Sequence, residues 1–188
     1  NRRTAGRVGA TLEAGRDLVD RFVDLDVGPL LAEVGMKVVG ATPKAETVDD
    51  VAAVEGRITR TLDGVAPNAG VRFGASSHVA RFLLAAREHD PSLRFATNVR
   101  FGADVEGALS ALDGVVEIDR SNEPRPDEDA STMGWAASRA FRSASGTPAA
   151  VFDRGDVGKE AMTRVLAHDT ETLVRRLRTL LSALDGER

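Results

Sequence analysis

Leu93-Arg94-Phe95-Ala96-Thr97-Asn98-Val99-Arg100-Phe101 alternates residue by residue. Phe95, Thr97, Val99 and Phe101 share one face, and Arg94, Ala96, Asn98 and Arg100 share the other, which is the period of a β-strand. If this strand is central, Asn98 and Arg100 lie on a covered face and need partners, a ligand being one. At an edge they would face water. Upstream, Val79, Phe82, Leu83 and Ala86 mark a helix over Ser77–Glu88 that stops before Pro91. Further upstream, Arg57–Leu62 and Val65–Arg72 read as a hairpin closed at Asp63-Gly64. Lys37–Ala41 reads as a strand, and Ala45–Val54 as a polar connection with one helical turn. Downstream come a helix marked by Val105, Ala108, Leu109 and Leu112, a strand at Val115–Asp119, a helix over Met133–Ala144 that holds Trp135, and strands at Ala149–Phe152 and Met162–Ala167. The last helix, from about Thr170, carries the stripe Leu173, Leu177, Leu180, Leu184. Strands and helices therefore alternate irregularly, with a hairpin among them. That pattern predicts an α/β fold with a mixed sheet and helices on both faces, rather than a doubly wound parallel sheet.

The chain has 188 residues, enough for one domain with a real core. A net charge of −4 argues against general nucleic-acid binding, which needs a basic surface. Its basic residues are 22 Arg and 3 Lys, and Arg forks onto phosphate. There is no Cys, which excludes thiolate catalysis and zinc–thiolate sites. No apolar run approaches the ~18 residues of a membrane span, and a cytoplasmic location is expected. Residues 1–27 read as a leading amphipathic helix and linker from a preceding domain, with the domain proper at 28–188.

Two segments carry candidate chemistry. Arg72-Phe73-Gly74-Ala75-Ser76-Ser77-His78-Val79-Ala80-Arg81 runs from small residues into a helix. Free N–H groups at a helix start favour an anion, so Gly74, Ser76, Ser77 and His78 read as a phosphate cradle. The same residues also read as an ordinary Ser cap with a surface His, and Ser caps are the commoner feature. Asp153-Arg154-Gly155-Asp156-Val157-Gly158-Lys159-Glu160 follows a buried strand. It lacks the spacing of a P-loop. Either Arg154, Gly155, Gly158 and Lys159 bind phosphate while Asp153 and Glu160 help hold Mg²⁺, or the segment is a charged turn with local ion pairs. Two such segments suggest a substrate with phosphate at both ends. Glu123, Asp127, Glu128 and Asp129 read as a solvated acidic loop, and His89 and His168 as structural or exposed.

Asp50–Ile58, Arg72–Arg81, Asn98-Val99-Arg100, Ser131-Thr132-Met133-Gly134-Trp135 and Asp153–Glu160, in this order, resemble the archaeal-type thiamine-phosphate synthase domain, ThiN. The family domain usually lies behind a hydroxymethylpyrimidine (phosphate) kinase. The resemblance implies a three-layer α/β/α sandwich with a mixed, mostly antiparallel sheet, similar to class II aldolases. It implies the joining of hydroxymethylpyrimidine diphosphate to hydroxyethylthiazole phosphate, with Mg²⁺ on the diphosphate and no organic cofactor. The family's essential Arg and His map onto Arg57 and His78. Expected partners are the two phosphorylated substrates, a covalently linked N-terminal kinase domain and a second copy in a homodimer, with no nucleic acid or membrane. The same fold also resembles the ligand-binding half of thiamine-responsive regulators, which is the alternative reading. An aldolase of this fold would need zinc on several His, and the three here are scattered. One departure stands at Lys37, where the family commonly has Asn; changed affinity, an added phosphate contact or lost activity are its possible consequences.

Overall fold

The computed structural model describes residues 2–124 and 132–186. The alternating segment forms β6 (Phe95–Arg100), the middle strand of a seven-stranded sheet. The sheet runs β5 (Val71–Phe73), β2 (Val51–Val54), β1 (Val38–Ala41), β6, β9 (Met162–Ala167), β8 (Ala150–Asp153), β7 (Val115–Glu117). Every neighbouring pair is antiparallel except β7 and β8. The sheet is thus mixed and mostly antiparallel, as expected.

Because β6 is central, its alternation feeds two cores rather than core and solvent. Phe95 and Val99 enter the layer of α1 (Arg2–Leu25), α3 (Ala103–Leu109) and α5 (Thr170–Gly186). Ala96 enters the layer of α2 (His78–His89) and α4 (Thr132–Ser143). The predicted stripes are the buried ones: Leu173, Leu177, Leu180 and Leu184 on α5, and Val79, Phe82, Leu83 and Ala86 on α2. Phe22 of α1 and Phe82 of α2 are fully enclosed on opposite faces of the sheet. Burial of each such ring contributes roughly 1.5–3 kcal/mol. The leading helix packs Leu18, Val19 and Phe22 into the same core cluster as α5.

Two expectations need correction. Residues 45–54 are not simply a polar connection: a 3-10 turn at Val48–Asp50 leads straight into β2. All four residues of β2 are buried, so it reads as an unbroken apolar run and gives no period-2 signal. The hairpin is also shorter than expected. β3 (Ile58–Arg60) pairs with β4 (Val65–Pro67) as a separate two-stranded sheet. Pro67 ends β4, and after Asn68-Ala69-Gly70 the chain joins the main sheet as β5. His89 stacks on Phe141, and His168 Nε2 lies 2.7 Å from Asp90, consistent with structural roles.

Candidate active site

Asn98 of β6 and Arg164 of β9 are register partners, and both line a cleft of about 540 Å³. Arg57 enters from the start of the small hairpin, and His78 and Val79 from the first turn of α2. Arg120, Glu123 and Pro124 follow β7, and Thr132 and Met133 open α4. Gly158, Lys159 and Glu160 come from the connection between β8 and β9. Residues from both predicted phosphate segments therefore meet in one cleft. Four guanidinium or ammonium groups (Arg57, Arg120, Lys159, Arg164) face two carboxylates (Glu123, Glu160), which leaves the cleft net cationic.

The backbone fixes Arg57 while leaving its head free. Its N–H donates to Asn68 Oδ1 at 2.8 Å. The preceding loop crosses so closely that a Cβ on Gly35, at φ +81°, would stand 3.0 Å from the Arg57 Cβ. The guanidinium of Arg57 and the imidazole of His78 have no hydrogen-bond partner among the described residues. Lys159 Nζ lies 2.6 Å from Glu123.

Asn98 lines the cleft but already has protein partners. Its Oδ1 accepts from Lys37 N at 2.6 Å, and its Nδ2 donates to the Gly35 carbonyl at 3.1 Å. It therefore pins the 35–37 loop to the central strand. Lys37 itself is buried, and its ammonium donates to the carbonyls of Val54 and Ala75. It ties the end of β2, three residues before Arg57, to the turn three residues before His78. Burial first, then the charges of Arg57 and Arg72, pull this ammonium below the ordinary lysine range.

Several predicted ligands are committed elsewhere. Arg100 donates to the Pro29 carbonyl and clamps Asp104 through two hydrogen bonds. Arg154 is held by Glu106 and Glu117 and lies over Phe101 and Phe152. Neither lines the cleft. Ser76, buried, accepts from the N–H of Ala80 at 3.3 Å and so acts as the helix cap, while Ser77 makes no capping bond. Gly74 and Gly155 serve the backbone: both have positive φ, and a Cβ on Gly155 would meet the Lys159 carbonyl at 2.5 Å. The second segment is the tip of a strand–strand connection, with Asp156 and Lys159 paired through their backbones, and not a helix start.

Asp153 is fully buried against Arg164 (3.2 Å) and Arg120 (3.7 Å), and also accepts from the N–H of Gly155. Its oxygens are thus used by the protein. Among the described residues no three His, Asp or Glu side chains converge as metal ligands. Of the two expected Mg²⁺ carboxylates, Glu160 lines the cleft, whereas Asp153 lies behind its wall on Arg164 and Arg120.

Reading the sequence missed Arg120, Glu123 and Arg164. Arg164 left a signal: a lone Arg inside the buried run of β9 implies a buried partner. Its guanidinium also lies 5.3 Å over the Phe82 ring. Glu123 was expected in a solvated loop, yet its side chain is 2% exposed because Arg120 and Lys159 enclose it. Asp127, Glu128 and Asp129 lie outside the described residues.

Comparisons with known proteins show the family and the fold. The profile of the thiamine-phosphate synthase ThiN family matches residues 16–179. The chain is 34% identical over 147 residues to the thiamine-phosphate synthase ThiN of Methanothermobacter thermautotrophicus, covering 77% of each. It is 33% identical over 152 residues to the bifunctional thiamine biosynthesis protein ThiDN of Methanocaldococcus jannaschii, covering 80% of this chain and 36% of that one. The chain thus spans about a third of the bifunctional relative. The crystal structure of the C-terminal domain of a phosphomethylpyrimidine kinase superposes with a TM-score of 0.86 at 28% identity, covering 91% of this chain and 98% of that one. An L-fuculose-1-phosphate aldolase from Thermus thermophilus superposes at 0.52 with 12% identity, covering 93% of this chain and 90% of that one, a likeness of fold alone. On these grounds the chain belongs to the thiamine-phosphate synthase ThiN family.

Proposed function

We propose that the cleft joins hydroxymethylpyrimidine diphosphate to hydroxyethylthiazole phosphate, giving thiamine phosphate and diphosphate. The thiazole nitrogen supplies the electron pair for the new C–N bond at the pyrimidine methylene carbon. The C–O bond to the diphosphate breaks, and the diphosphate leaves with that electron pair. No covalent enzyme intermediate is needed. The protein has to hold two phosphorylated reactants and favour the negative charge that grows on the leaving group, which fixed cations do best in a site shielded from water.

One observation carries the reading. Arg57 and His78, from separate parts of the chain, open into the same cleft with no competing hydrogen-bond partner among the described residues. In this reading Arg57 pairs with the diphosphate, and His78 donates to a phosphate oxygen. Lys159 and Arg120 add cationic contacts, while Val34, Val79, Met133 and Met162 offer apolar wall to the two heteroaromatic rings. Lys37, with its ammonium on two carbonyls, serves the frame that spaces Arg57 from His78 rather than contacting phosphate. Mg²⁺ would arrive bound to diphosphate, completing its shell with water. The kinase domain of the bifunctional relative would precede this domain in a full-length cytoplasmic chain and supply the pyrimidine diphosphate. A homodimer is the proposed assembly.

The test is a synthase assay with both phosphorylated precursors and Mg²⁺, following thiamine phosphate and diphosphate together. Equal appearance of the two products, lost in His78→Ala, supports the reading. Full turnover in both Arg57→Ala and His78→Ala would refute the assigned roles.

A further inference from the structure

Glu123 is a buried carboxylate in the middle of a site built for anions. One of its oxygens, Oε2, accepts from Arg120 Nε at 3.2 Å and from Lys159 Nζ at 2.6 Å. Both cations line the cleft, as does Glu123 itself. Burial alone would raise this carboxyl, but hydrogen bonds from Lys159, Thr132 and Arg120 outweigh it and hold the group below its ordinary value. Glu123 therefore stays ionised across the physiological range. Behind it, Arg120 and Arg164 both face Asp153. Without Glu123, Lys159 would lose its ion pair and Asp153 alone would face both Arg120 and Arg164. With it, the wall is nearly neutral and its cations are fixed in place.

We propose that Glu123 holds the place of a substrate phosphate: its Oε2 marks the anion subsite between Arg120 and Lys159, and a phosphate oxygen takes over those contacts on binding. The inference rests on reading the cleft as a phosphate site. A phosphate brings more charge and three acceptor oxygens against the single oxygen now shared, so it can displace a carboxylate from Arg and Lys. Until it does, Glu123 keeps the two cations apart and oriented, which lowers the reorganisation needed at binding. The subsite thus gives up affinity for free phosphate and diphosphate in exchange for order.

Titration calorimetry with inorganic diphosphate, on the intact protein at one fixed low ionic strength, tests this directly. Glu123→Gln is expected to bind diphosphate about tenfold tighter than the natural protein, as removal of a direct competitor worth roughly 1.4 kcal/mol requires. Glu160→Gln removes the same charge from the same cleft, but Glu160 makes no ion pair among the described residues. Its gain should therefore be less than about threefold, the size of a screened through-space effect. Adding Lys159→Gln to Glu123→Gln should erase the gain, since the freed contact is then gone. Glu123→Ala serves as a second variant in case the Gln amide itself bonds Lys159. Weaker or unchanged binding in both Glu123 variants would overturn the proposal, as would an equal gain in Glu160→Gln. Turnover is read separately. If Glu123→Gln binds tighter while the natural protein fails to make thiamine phosphate, the subsite stands and the synthase reading falls. If no variant binds diphosphate, the phosphate-site reading falls with it.

Discussion

The segments 72–81 and 153–160 look alike in sequence and are used differently. In the first, Gly74 and Ser76 shape the entry to α2, and His78 and Val79 face the cleft. In the second, the front half turns away: Asp153 is sealed beneath Arg164 and Arg154 is tied to two glutamates. The back half, Gly158 to Glu160, reaches the cleft. The difference does not lie in residue type. Arg154, held by two carboxylates outside the cleft, is already neutralised, and Arg57, with no ion-pair partner among the described residues, is free for substrate. Arg57 and Arg154 are the clearest pair.

Asp153→Ala should break this contrast hardest. It strands the buried guanidinium of Arg164, and losing one partner of a buried pair costs about 3–5 kcal/mol. Denaturant unfolding should show a large fall in midpoint at an unchanged slope. Next is the free cation. Arg57→Ala should cut synthase turnover by about a hundred- to a thousandfold, the scale for loss of one preorganised charge-stabilising group. Its unfolding midpoint should barely move, because no hydrogen bond is lost. Arg154→Ala should do the reverse, leaving turnover intact and lowering the thermal midpoint slightly. Equal activity losses in the two Arg variants would remove the distinction.

Two smaller effects sharpen the roles of the glycine and serine positions. Gly155→Ala places a methyl against the Lys159 carbonyl at φ +73° and should cost about 1–3 kcal/mol, the range for local backbone strain. Because Lys159 sits on the same loop, diphosphate affinity should fall too. Ser76→Ala should cost about 1 kcal/mol as a lost helix cap, read by thermal unfolding, with less effect on catalysis than His78→Ala. The smallest effect is a pH dependence. The hydrogen bond from Arg100 lowers the Asp104 carboxyl to about 2. A depressed carboxyl contributes stability that is fully present above its unfolded value near 4 and lost as pH falls toward 2. Asp104→Asn should flatten that part of the thermal-midpoint profile, weakly, since the pair is half exposed and screened by salt.

Much of the architecture was legible locally. The period of Phe95–Arg100 and the stripes on α2 and α5 depend on near neighbours in the chain, and all three stand in the structure. β2 was not legible, because burial on both faces erases alternation. Within the site, Arg57 came from family resemblance, His78 from the helix start as well as the resemblance, and Gly158, Lys159 and Glu160 from a charged turn. Arg120 and Glu123 gave no local sign, since neither belongs to a periodic element. Arg164 gave one that composition alone does not decode: a charge inside an apolar strand demands a partner, but Asp153 could not be named from spacing.

The sequence by itself determined most of the elements, the mixed sheet and the family, because helix and strand periods and ordered motifs are written in neighbouring residues. Only the tertiary structure decided which charges remain available. Arg100, Arg154 and Asp153 meet their partners through strand register and helix packing, whereas the Arg57 and His78 side chains meet none among the described residues. Charge pairing falls off over a few ångströms, and those distances are set by folding rather than by separation along the chain.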